Sequence, residues 1–208
     1  MNLTNLSVIM KISVKRGEQA LQEIEIEFKN LLERDEYNNL AAHYMSNLEP
    51  IKQVNYYFET NDFRLKQQGA ALRIREKTDA YVATLKQPVE NGLLETHDTL
   101  TKEQFKAWCQ DEITLGENIR QQLNTLGIKE ADIRYKGQLT TYRYERQDRD
   151  IILVLDHSEY NGMIDYELEV EASSLEQGES YFHNLLRQFN IPKRHTPNKI
   201  ARFFQSVN

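Results

Sequence analysis

Residues 23–29 read Glu23-Ile24-Glu25-Ile26-Glu27-Phe28-Lys29. Strict alternation over this stretch predicts a β-strand with two unlike faces. Ile24, Ile26 and Phe28 form the apolar face; Glu23, Glu25, Glu27 and Lys29 form the other. Neighbouring carboxylates repel unless a cation lies among them. Later segments supply complements. Leu72-Arg73-Ile74-Arg75 sets two guanidiniums on one strand face, and Thr84-Leu85-Lys86 sets a hydroxyl and an ammonium on another. Asp165-Tyr166-Glu167-Leu168-Glu169-Val170-Glu171 repeats the acidic alternation. Ordered carboxylates hold hard divalent cations, and ordered guanidiniums grip phosphate. Together these patterns suit a metal–polyphosphate ligand.

Net charge is −6 over 208 residues, which disfavours broad nucleic-acid binding, because a phosphate backbone demands a basic surface. The longest aliphatic run, Ile151 to Leu155, is far short of a membrane span. One cysteine, Cys109, excludes an intrachain disulfide and a cysteine metal cluster. With no apolar signal segment near the N-terminus, the expected compartment is the cytoplasm. The five histidines lack metal-ligand spacing, and no glycine-rich phosphate loop is present. His97 shares a strand face with Glu95, a further candidate carboxylate.

The periodicity predicts strands at 22–30, 54–59, 71–76, 81–86, 93–100, 129–135, 138–147, 151–156 and 164–171. Thr78-Asp79 and Asn161-Gly162 read as hairpin turns, and Pro88 to Gly92 as a loop. Helices are expected at 32–46, from the Thr101-x-x-Gln104 capping box to Cys109, at 115–126 and at 174–189. A last helix is expected from Thr196-Pro197 to Gln205. Many short strands separated by turns predict an α+β fold: an antiparallel barrel or curved sheet with helices packed outside. Buried charges cost several kcal/mol per ion unless paired, so such a barrel would hold a polar interior. The core would then lie under the helices, with Ile24, Ile26, Phe28, Leu72, Ile74, Leu168 and Val170 in it.

Seven short motifs in order resemble the CYTH superfamily, also called triphosphate tunnel metalloenzymes. They are Glu25-x-Glu27-x-Lys29, Leu72-Arg73-Ile74-Arg75, Thr84-Leu85-Lys86, Arg143, Asp156, Glu167-x-Glu169 and Asn198-Lys199-x-x-Arg202. The phrases Leu155-Asp156-x-Ser158-x-Tyr160-x-Gly162 and Asp165-Tyr166-Glu167-Leu168-Glu169 are most similar to a small bacterial branch often labelled as candidate adenylate cyclases. The likeness covers residues 22–208 as one domain. Residues 1–21 fall outside it and are read as an N-terminal extension, either a strand-bearing arm or an over-long gene reading with a start at Leu21.

The resemblance implies an eight-stranded closed tunnel that hydrolyses or cyclises a triphosphate with Mg²⁺ or Mn²⁺. It implies that Arg73, Arg75, Lys86 and Arg143 bind the phosphate chain. Glu25, Glu27, Asp156, Glu167 and Glu169 would hold metal; Glu169 with Glu171 is the alternative pair, since all three share a face. Lys29 and Lys199 would touch the terminal phosphate or orient carboxylates, acting with Glu25 and Glu27 in catalysis. Inorganic triphosphate is the preferred substrate, because no nucleobase pocket is legible. The alternatives are a class IV-type adenylate cyclase making cyclic AMP and a non-catalytic polyphosphate sensor. The expected partner is a triphosphate-containing small molecule, with no nucleic acid and no membrane; oligomeric state is left open.

Overall fold

The computed structural model describes residues 22–23, 26–77, 80–89 and 92–206. Residues 1–21, Ile24, Glu25 and the Thr78-Asp79 turn lie outside them. The chain divides into two compact units. One comprises residues 26–52 and 140–206, the other residues 22–23 and 53–139.

The first unit is built on β2 (Ile26–Leu32), the later part of β7 (Ile133–Asp148), β8 (Ile151–Tyr160) and β9 (Met163–Ala172). β8 pairs antiparallel with β7 and β9, and β9 with β2. α1 (Arg34–Tyr44), α5 (Leu175–Gln188) and α6 (Lys199–Gln205) complete it. Ile26 and Phe28 pack with Leu168, Val170, Leu40, Phe182 and Leu185 in one buried cluster. That is the apolar half of the alternation: period-two strands turn these residues toward the helices. Ser174 starts α5 by accepting a hydrogen bond from the Gln177 amide at 3.3 Å. Gly178 lets α5 approach the sheet, because a Cβ there would lie 2.5 Å from the Phe28 ring.

The second unit holds β1 (Gln22–Glu23), β3 (Ile51–Thr60, from residue 53), β4 (Ala71–Lys77), β5 (Ala80–Val89) and β6 (Gly92–Leu100), with the start of β7. α2 (Arg64–Gln67), α3 (Lys102–Trp108) and α4 (Glu117–Thr125) belong to it. Thr101 and Gln104 form the expected capping box at α3. Leu72 and Ile74 sit fully buried with Phe58, Leu85, Trp108 and Ile119.

The expected closed eight-stranded barrel is not found. The ladders run in the order β1-β6-β5-β4-β3-β7-β8-β9-β2, and no ladder among the described residues joins the end strands. Among the described residues β1 is a two-residue stub paired with β6 alone and β2 has β9 alone as neighbour, so hydrogen bonds among them do not close the sheet. Other boundaries move for local reasons. The strands expected at 129–135 and 138–147 are one strand, β7, preceded by a 3₁₀ turn at Glu130–Asp132. Gly137 carries the strand through with a φ of 131°. β5 and β6 occupy much of the expected Pro88–Gly92 loop. α1 begins only at Arg34, after Glu33 and Glu36 form its capping box. α2 was not anticipated: the buried Glu59 carboxylate accepts from the amides of Leu65 (3.0 Å) and Lys66 (2.8 Å). Thr196-Pro197 does not start α6, whose N-cap is Asn198. The Thr196 hydroxyl instead accepts from the Leu31 amide at 2.9 Å. No helix among the described residues is long and apolar enough to cross a membrane.

Candidate metal and phosphate site

In the first unit the polar half of the alternation forms one charged cluster. β2 presents Glu27 and Lys29; β7 presents Arg143; β8 presents Asp156; β9 presents Asp165, Glu167 and Glu169. The register aligns Lys29 with Glu169, Arg143 with Asp156 and Asp156 with Glu167. α6 adds Lys199 and Arg202. One carboxylate oxygen each from Glu27, Glu167 and Glu169 lies within 4.8 Å of the others, and all three residues are buried. That donor set suits a hard divalent cation, which prefers carboxylate oxygen. A second sign is Glu167 Oε1, which is buried and makes no hydrogen bond. A buried acceptor without a partner is costly unless a ligand meets it.

The cations hold these acids in place. Lys199 Nζ lies 2.8 Å from Asp156 Oδ2, 2.9 Å from Glu167 Oε2 and 2.5 Å from Glu169 Oε1. Arg143 donates to both Asp156 oxygens, at 2.8 and 2.6 Å, and to Glu169 Oε2 at 2.6 Å. Arg202 binds Asp165 at 2.8 Å and also donates to Glu167. Lys29 donates to Glu27 Oε1 at 3.0 Å and to Asn198 Oδ1 at 2.7 Å.

Electrostatics follow from this packing. Burial alone would raise the Glu169 carboxyl, but Arg143 and Lys199 hold it well below the usual carboxylate range. Glu167 stays above its ordinary value, because burial and the charge of Glu169 outweigh Lys199 and Arg202. Burial would lower Lys199, yet Asp156, Glu167 and Glu169 raise it well above the lysine norm. Lys29 is raised likewise, with Glu27 as the largest charge acting against burial.

In the second unit a different face carries the basic residues. Arg73 pairs with Thr84, Thr84 with His97, and Lys86 with Glu95, so these side chains share one side of β4, β5 and β6. Lys86 contacts Glu95, His97 Nε2 lies 3.7 Å from Glu95, and Thr84 Oγ1 lies 3.0 Å from His97 Nδ1. Arg75 Nε donates to Asn55 Oδ1 at 3.0 Å. Burial pushes the Glu95 carboxyl up, but Lys86 and then Arg73 override this and hold it at about 2. Arg73 Nε is buried with no hydrogen-bond partner, which leaves a cationic donor for an anion.

The structure therefore gathers Glu27, Lys29, Arg143, Asp156, Glu167, Glu169 and Lys199 in one unit, and Arg73, Arg75 and Lys86 on one face of the other. Glu25 lies outside the described residues. Glu167 and Glu169 each place an oxygen within 4.8 Å of one on Glu27, and Glu171 stands directly opposite Glu27 in the ladder. Asp165, Asn198 and Arg202 were named in the sequence motifs without a role, and they prove to anchor the cluster. Asn55 was not anticipated. Its one signal is parity: it stands two residues before Tyr57 on β3, opposite Arg75 as Tyr57 is opposite Arg73.

The family model of the CYTH domain matches residues 23–204. The chain belongs to the CYTH family. It is 45% identical over 185 residues to the Bacillus subtilis protein named as a candidate triphosphatase, YjbK, covering 88% of this chain and 96% of that one. A crystal structure of a candidate adenylate cyclase from Bacillus halodurans matches with a TM-score of 0.84 and 40% identity, over 88% of this chain and 99% of that one. A Hippeastrum protein, described as a candidate adenylyl cyclase with a dominant triphosphatase activity, shares the fold. Its TM-score is 0.71 at 22% identity, over 87% of this chain and 95% of that one.

Proposed function

We propose that this chain is a metal-dependent triphosphatase, with inorganic triphosphate as the preferred substrate. The observation that carries the reading is the buried trio of Glu27, Glu167 and Glu169, with ligand atoms within 4.8 Å of one another. The relation to a protein named as a triphosphatase supports it. Glu27, Glu167 and Glu169 would hold Mg²⁺ or Mn²⁺, with Asp156 and Glu25 as further acids of the site. When bound, such a cation neutralises phosphate charge and activates water. Arg73, Arg75 and Lys86 would bind phosphate oxygens, since phosphoryl transfer needs positioning and charge neutralisation more than covalent help. Arg143, Lys199 and Lys29 orient the carboxylates through the contacts above and supply positive charge beside them. No serine or cysteine nucleophile is required.

The second reading, cyclisation of ATP, is favoured by the likeness to the candidate adenylate cyclase. A panel of inorganic triphosphate, ATP and thiamine triphosphate, each with Mg²⁺ or Mn²⁺, tests both. Phosphate release without cyclic AMP is the expected result. Efficient cyclic AMP formation from ATP would transfer the assignment to a cyclase. Tight triphosphate binding without turnover would make the chain a sensor.

A further inference from the structure

The Lys199 ammonium touches an oxygen of each of three carboxylates, Asp156, Glu167 and Glu169. Two of these, Glu167 and Glu169, belong to the trio suited to a divalent cation. Arg202 shares Glu167 Oε2 with Lys199, Arg143 takes Glu169 Oε2, and Lys29 takes Glu27 Oε1. Glu167 Oε1 alone is buried and unpaired. A divalent cation needs several oxygen ligands. To draw on Glu169 as well as Glu27 and Glu167, it competes with Lys199 for Glu169 Oε1, since Arg143 holds Oε2.

Electrostatics points the same way: Lys199 and a divalent cation are both positive and would compete for the same Glu167 and Glu169 carboxylates. Lys199 is also the residue whose release is easiest to accommodate. It is the first residue of the seven-residue α6, and its long, flexible stem can swing without breaking a strand. Arg143 sits in mid-strand and holds Asp156 by a two-point fork.

We propose that Lys199 is the site's internal counter-ion, exchanged for the divalent cation, so that metal binding frees its ammonium for an anionic substrate. This rests on the metal reading above. It makes metal and phosphate binding mutually reinforcing, because one event vacates the carboxylates and supplies a cation to the phosphate.

The test is calorimetric titration of Mn²⁺ into wild type, Lys199→Gln, Lys199→Arg and the exposed control Lys193→Gln. Lys199→Gln is expected to bind Mn²⁺ at least tenfold more tightly than wild type, while the arginine and control variants stay near wild type. Equal, measurable affinities in wild type and Lys199→Gln would overturn the exchange and leave the metal reading standing. No Mn²⁺ binding in either would overturn both. Should Lys199→Gln fail to fold, wild type still decides. Acetylation of Lys199 by a small acylating reagent, followed by mass spectrometry, should rise severalfold with Mn²⁺. Unchanged or reduced labelling would refute the proposal.

Discussion

Glu27 and Glu169 both belong to the carboxylate trio, yet the structure assigns them different structural weight. Neutralising either with Glu→Gln should remove a metal ligand and abolish metal-dependent turnover. The cost to folding should differ. Glu169 accepts from Arg143 at 2.6 Å and from Lys199 at 2.5 Å. A glutamine there keeps one acceptor but turns an amide NH₂ toward a buried cation. Breaking one side of such a buried ion network costs about 3–5 kcal/mol. Glu27 has one such partner, Lys29 at 3.0 Å, and a charge-assisted hydrogen bond is worth about 1.5–3 kcal/mol. With a urea dependence of about 2 kcal/mol per M, Glu169→Gln should lower the midpoint by roughly 1.5–2.5 M and Glu27→Gln by about 1 M. Urea titrations followed by circular dichroism, without added metal, read both. Equal midpoints for the two variants, or no loss in Glu169→Gln, would refute the weighting of these contacts.

Glu95 makes the second unit acid-sensitive. Its carboxyl is held at about 2 against an ordinary 4.5, so it binds fewer protons when folded. Its contribution, at most roughly 3 kcal/mol, is present above pH 4.5 and lost as pH falls from there toward 2. The stability gap between wild type and Glu95→Gln should close over that window; a gap independent of pH would contradict it. Arg73→Ala should lower kcat/KM for triphosphate about ten- to a hundredfold or more, because its buried Nε has no internal hydrogen-bond partner and would donate to a phosphate oxygen. Unchanged kinetics would remove Arg73 from the phosphate site. Gly178→Val should destabilise by about 1–3 kcal/mol, because even a Cβ would meet the Phe28 ring at 2.5 Å; a neutral melt would contradict that packing.

The alternation at residues 26–29 was legible because strand parity is local. It places Ile26 and Phe28 in the core and leaves Glu27 and Lys29 on the opposite face. The same parity could not choose between Glu167 and Glu171, which share that face. What sets Glu167 apart is long-range: it meets Lys199 and Arg202, more than 30 positions later in the chain, and stands opposite Asp156 across the ladder. Parity also misleads at Asn30. It lies on the apolar side of β2 but is buried by hydrogen bonds to the Pro192 carbonyl and the Arg194 amide. Barrel closure was inferred from the number of strands and the family likeness. Closure depends on which end strands pair, a long-range choice that local pattern does not encode, and the ladders end at β1 and β2.

The central claim is tested most directly by ³¹P NMR of inorganic triphosphate incubated with the protein and Mg²⁺ or Mn²⁺, beside the same mixture with a chelator. The account predicts equal amounts of orthophosphate and pyrophosphate appearing with metal, and neither with chelator. Metal-independent hydrolysis, or intact triphosphate under every metal condition, would contradict it.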